Sequence, residues 1–154
     1  MKRIVALVLA AVALIAANGA AQDKPNFAGT WKLSEPAQPD QFTATQIVVS
    51  QDVTLLTVVV TGQMGEFKTT YKLDGTEGRS PLDFNGTTID RATKATWNEN
   101  KLTLWTGSEM NGQAFEFTSV LSLGSDGSMI VESTFPDFQG GGAPIKAKAV
   151  YKRS

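Results

Sequence analysis

Apolar and polar residues alternate one for one in several segments of this chain, and that period of two restricts the fold more than any other feature it carries. In Glu66 to Leu73 (EFKTTYKL), Phe67, Thr69, Tyr71 and Leu73 share one face, while Glu66, Lys68, Thr70 and Lys72 share the other. Ile145 to Arg153 (IKAKAVYKR) repeats the pattern, with Ile145, Ala147, Ala149 and Tyr151 opposite Lys146, Lys148 and Lys152, and only Val150 breaks the polar row. Gln113 to Leu123 (QAFEFTSVLSL) sets Phe115, Phe117, Leu121 and Leu123 against Glu116, Thr118 and Ser122. From Asn26 onward no window of ten residues carries helical apolar spacing. A sheet with one dry and one wet face is antiparallel, since parallel sheets are covered on both sides.

Further strands are expected at Phe27 to Leu33, Thr43 to Ser50, Val53 to Thr61, Arg91 to Trp97, Leu102 to Thr106 and Met129 to Phe135. Turn residues separate them: Gly62 to Gly65, Asp74-Gly75, Asn85-Gly86, Asn98 to Asn100, Asn111-Gly112 and Asp126-Gly127. Short links favour pairing between sequence neighbours. The expected fold is therefore all-β, an antiparallel up-and-down β-barrel of 8 to 10 strands, in which closure removes exposed edges. A β-sandwich is the alternative. Three segments read as irregular: Ser34 to Gln41, Thr76 to Leu82, and Pro136 to Pro144 with its run Gly140-Gly141-Gly142.

The beginning of the chain is different. Lys2 and Arg3 precede fourteen apolar residues, Ile4 to Ala17, and then small residues through Ala21. This is the pattern of an export signal, and fourteen residues fall short of the roughly 20 needed to span a bilayer. Residues 1–21 are thus expected to be a signal peptide, cleaved after Ala21 or Ala20, and 22–154 a single secreted or periplasmic domain. Removal of Lys2 and Arg3 leaves 12 basic against 15 acidic residues, a net charge of −3. Absence of a basic cluster argues against nucleic acid, whose phosphates require one. With no His and no Cys, the chain has no Ser-His-Asp or Cys-His relay, no thiolate nucleophile, no His- or Cys-ligated zinc and no disulfide. Its core must hold it together unaided.

Three segments carry a resemblance. Pro25 to Leu33 (PNFAGTWKL) resembles the opening of intracellular fatty-acid-binding and retinoid-binding proteins, and its Gly29-Thr30-Trp31 core also resembles the lipocalin and avidin opening. Trp97 to Leu104 (WNENKLTL) and Val150 to Arg153 (VYKR) are similar to the middle and closing strands of the fatty-acid-binding side of that calycin superfamily. The resemblance implies a barrel with a hollow for a small apolar or lipid-like molecule. Two departures stand out. Only a short polar stretch, Ser34 to Phe42, follows the first strand where those families insert two lid helices, and Ala149 occupies the position of the arginine that binds the ligand carboxylate. The chain looks closer to a minimal, exported bacterial lipocalin-like domain.

The expected ligand-binding set is Trp31, Phe67, Tyr71, Arg91, Phe115, Phe117, Ala149 and Tyr151, facing inward by parity. Large inward residues are interleaved with small ones (Thr69, Ala95, Ser119, Ser133, Ala147, Ala149), a pattern that fits a cavity or the taper of a solid barrel equally. Arg91 is a candidate partner for an anionic head. No catalytic residues, metal or cofactor are expected: Glu116 and Glu132 point outward, and Asp74 to Glu77 and Ser125 to Gly127 read as turns, not calcium loops. The first expectation is sequestration of a small apolar ligand without chemistry. The second is a solid-core interaction module that contacts a protein or polysaccharide through Ser34 to Gln41 and Pro136 to Pro144. A cofactorless enzyme comes last, and oligomeric state is left open.

Overall fold

Positive backbone φ at both residues of Asn85-Gly86 and of Asn111-Gly112 makes each a turn whose twist matches paired strands. These and similar turns fold the chain into successive hairpins. The computed structural model describes residues 23–36 and 38–154. The segment expected to be an export signal lies outside the described residues.

Twelve strands are formed: β1 (Gly29–Glu35), β2 (Ala44–Gln51), β3 (Leu55–Gly62), β4 (Gly65–Lys72), β5 (Gly78–Arg79), β6 (Leu82–Phe84), β7 (Thr87–Ile89), β8 (Arg91–Asn98), β9 (Lys101–Met110), β10 (Gln113–Leu123), β11 (Met129–Phe135) and β12 (Ile145–Arg153). Ten of them form one antiparallel sheet in the order β4-β3-β2-β1-β12-β11-β10-β9-β8-β5. Every neighbour is a sequence neighbour except β1 with β12 and β8 with β5, so the sheet is an up-and-down meander curled into a nearly closed β-barrel. The nine long strands match the nine expected. No helix is present among the described residues, and none is long and apolar enough to cross a membrane. One expectation is corrected: Thr76 to Leu82 is not wholly irregular, because Gly78 and Arg79 pair with Thr93 and Ala92. Leu82 then begins the small β6–β7 hairpin around Asn85-Gly86.

The sheet's two edges, β4 and β5, meet at a seam held by side chains instead of a ladder. Thr93 donates its hydroxyl to the Thr70 carbonyl at 2.9 Å, and the Thr70 amide donates to Ser80 Oγ at 3.1 Å. Arg91 donates Nε to the Ser80 carbonyl and Nη2 to the Lys68 carbonyl, each at 2.9 Å. An unpaired backbone group costs free energy wherever water is excluded, so these bonds do for the seam what ladder bonds do elsewhere.

One end of the barrel is solid. Phe27, Trp31, Leu56, Leu102 and Met129 are all fully buried there. Trp31 donates Nε1 to the Phe27 carbonyl at 2.8 Å, and the Arg153 guanidinium lies 4.3 Å over its ring while bonding the Ala28 carbonyl. Gly29 makes that stack possible. Its φ is +141°, and a Cβ on it would stand 2.6 Å from Arg153 Nη1. Gln51 ties down the incoming chain, accepting from the Phe27 amide at 2.8 Å and donating to the Pro25 carbonyl at 3.2 Å.

Candidate functional site

The strands that carry Leu121, Met129 and Arg153 at the solid end contribute smaller residues further along. Ser119 on β10, Ser133 on β11 and Ala147 on β12 stand side by side in register, with Ala149 next on β12. Small side chains at that level leave the opposite end hollow. A cavity of about 310 Å³ opens there, walled by Ala44 and Ile47 of β2, Val60 of β3, Phe117 and Ser119 of β10, Val131, Ser133 and Phe135 of β11, and Ala147, Ala149 and Tyr151 of β12. That is the small end of the roughly 300–1,000 Å³ usual for ligand pockets.

The β1–β2 loop borders its mouth, and the β11–β12 loop packs on that rim. Asp40, between β1 and β2, accepts from the Phe42 and Thr43 amides at 3.0 and 2.8 Å and from the Thr43 hydroxyl at 2.7 Å, which turns Phe42 toward the cavity. Phe42 packs on Phe135 with centroids 4.9 Å apart and reaches Phe138 at 5.9 Å. Phe138 belongs to the loop between β11 and β12, where Asp137 accepts from the Gln139 and Gly140 amides. Its ring also contacts Phe115 at 5.4 Å and Phe117 at 6.1 Å. These rings stay wet: Phe42, Phe117 and Phe138 are 38%, 37% and 48% exposed. A cluster of half-exposed aromatic rings at the rim of a cavity is the kind of apolar patch that marks a binding site.

Polar side chains share the wall with the apolar ones, Asp40, Thr118, Thr134 and Lys148 among them. Tyr151 donates its hydroxyl to the Ala44 carbonyl at 2.8 Å. Burial, and then the nearby Asp40 charge, push that phenol up to about 12, so it stays neutral. The Ser119 and Ser133 hydroxyls face each other at 3.3 Å. Among the described residues no buried polar side-chain atom lacks a partner, and no group of three or more His, Cys, Asp or Glu residues is placed to hold a metal. Asp74 and Asp126 make local turns, accepting from Thr76 and Ser128 respectively, and those bonds hold both carboxyls below their ordinary range.

Of the eight residues expected to bind ligand, Phe117, Ala149 and Tyr151 line the cavity, and Phe115 supports its rim through Phe138. The other four lie elsewhere. Trp31 is sealed in the solid end. Tyr71 sits in the core with its hydroxyl 3.0 Å from Thr106 Oγ1, its pKa raised by burial. Phe67 packs on Phe84 of the β6–β7 hairpin with centroids 6.0 Å apart. Arg91 spans the seam with Nε and Nη2 engaged by the Ser80 and Lys68 carbonyls, so parity alone misjudged what surrounds it. Missing from the expected set are Phe42, Ile47, Val60, Val131 and Phe135. Val131 had a signal, since alternation turns it inward and register sets it against Ala149, whereas register pairs Ile47 with Trp31, Val60 with Phe67 and Phe135 with Ile145, so counting along the strands does not place them beside Ala147 and Ala149. Phe42 sits in a loop and had none. The chain matches no family model, and a search of curated proteins gives no match either.

Proposed function

We propose that the protein is an exported, lipocalin-like barrel that binds one small, largely apolar molecule by sequestration in its open end, without chemistry. The observation that carries this reading is the cavity of about 310 Å³ lined by half-exposed Phe42 and Phe117, on which Phe138 packs. Its lining is mainly apolar and carries aromatic rings, the composition usual for pockets that hold small molecules. The cavity therefore favours sequestration over recognition through the loops alone. Gly29-Thr30-Trp31 at the closed end and the sequential meander support kinship with the calycin barrels, and the Lys2-Arg3 start with its apolar run supports export.

The test is titration with the neutral dye N-phenyl-1-naphthylamine, followed by its emission. The protein is expected to bind one dye saturably. Ala147→Phe or Ala149→Phe, each of which puts a ring into the hollow, is expected to weaken binding at least tenfold while leaving the β-sheet circular dichroism unchanged. Dye affinity that survives both changes refutes the assignment of the wall, and absence of any saturable binding refutes the reading.

A further inference from the structure

We infer that the cavity selects an uncharged, largely apolar molecule carrying one hydroxyl or carbonyl group, and that the Ser119–Ser133 pair is the point that reads it. This rests on the sequestration proposed above and specifies the guest.

The first line of argument is charge. Two cations share the inward parity, and both are committed elsewhere. Arg91 is held at the seam by the Ser80 and Lys68 carbonyls. Arg153 is held at the solid end by the Ala28 carbonyl and the face of Trp31. Lys148, the one cation in the wall, is exposed and stands opposite Glu132 on the outer face of the sheet. Asp40 is the other charged residue at the cavity, and it is negative. An anionic head drawn inside would shed its water with no cation to replace it, and burial of an unpaired charge is strongly unfavourable.

The second is hydrogen bonding. Ser119 and Ser133 are cross-strand partners, and both line the cavity. Their oxygens are 3.3 Å apart, long for a hydroxyl pair, whose usual separation is about 2.7–2.8 Å. One hydroxyl hydrogen satisfies that contact, which leaves the second hydrogen and several lone pairs free. Thr118, Thr134 and Lys148 border the cavity from the alternate positions of these strands, and the side chains that share the serines' inward parity, Ala147, Ala149, Val131 and Phe117, are apolar. Alanine would fill the same space without a polar group to desolvate, so two adjacent hydroxyls facing a hollow suit a guest that offers one donor or acceptor.

The experiment uses displacement of N-phenyl-1-naphthylamine from the protein by 1-decanol, 1-chlorodecane and sodium decanoate at pH 8. Decanoate is expected to bind at least tenfold more weakly than 1-decanol. In the Ser119→Ala/Ser133→Ala double variant, the ratio of 1-decanol to 1-chlorodecane affinity is expected to fall about three- to tenfold, the worth of one hydrogen bond, with 1-chlorodecane binding retained as proof that the hollow is intact. Decanoate binding as tight as 1-decanol overturns the charge argument. An unchanged alcohol-to-chloride ratio overturns the role of the serines while sequestration stands. If the dye itself does not bind, sequestration fails and this inference fails with it.

Discussion

Thr93→Val isolates the seam. The side chain is fully buried, and valine reproduces its shape, so the change removes little except the hydroxyl that donates to the Thr70 carbonyl at 2.9 Å. That carbonyl belongs to an edge residue of the sheet and faces β8, where no ladder partner replaces the lost donor. Leaving one buried acceptor without a donor costs about 1–3 kcal/mol. For a domain of this size each kcal/mol is worth about 4 °C, so the melting temperature should fall roughly 4–12 °C. Hydrogen exchange supplies the local readout. The Thr70 and Ser80 amides, which donate to Ser80 Oγ and the Arg91 carbonyl, should lose protection, while amides shared by β1 and β12 retain theirs. A variant that melts within about 1 °C of the parent, with protection at Thr70 and Ser80 intact, would refute the claim that side chains hold the seam.

Gly29→Ala should destabilise by about 1–3 kcal/mol, measured by urea unfolding, because the residue keeps a φ of +141° and its new Cβ displaces Arg153 from Trp31. Arg91→Lys should not rescue the seam, since an ammonium cannot span two carbonyls with the fixed fork of a guanidinium, and its loss should show as faster exchange at Ser80. Burial raises both tyrosines, so ultraviolet titration of the folded protein should show less tyrosinate at pH 10 than the unfolded chain, and Tyr151 should ionise near 12. A phenol that ionises at about pH 10 when unfolded and higher when folded contributes stability that is fully present below pH 10 and is lost as pH rises through the folded value. Asp52, Asp74, Asp126 and Asp137 behave oppositely. Hydrogen bonds hold their carboxyls below the ordinary carboxylate range, so their contribution is present above that range and is lost as pH falls through their lowered folded values, which an acid unfolding curve should register.

Much of the barrel was legible because its cause is local. Alternation in Glu66 to Leu73 states which face is buried, and Asn111-Gly112 pins Met110 opposite Gln113, from which the pairing of Ser119 with Leu104 follows by counting. The same counting places the small residues of β10, β11 and β12 at one level. What parity does not state is the end of the barrel at which an inward residue sits, and so Trp31 and Tyr71 were grouped with Ala149 although they are packed in the solid core. Arg91 was misjudged for a related reason: its surroundings depend on where the sheet's edges meet, which no short stretch of sequence records. The strands β5, β6 and β7 are two or three residues long and too brief for a period to show. Phe42 and Phe138 lie in loops, where alternation carries no information.

The unequal filling of the barrel links occupancy to endurance. The half around Phe27, Trp31 and Leu102 is filled by its own side chains, whereas the half around Ala147 and Ala149 is open. Any molecule that lodges there binds only the folded chain, so at a hundred times its dissociation constant it should add about 2.7 kcal/mol to resistance against unfolding. A library screened by heating alone would thus rank candidate occupants by affinity before any one of them had been identified.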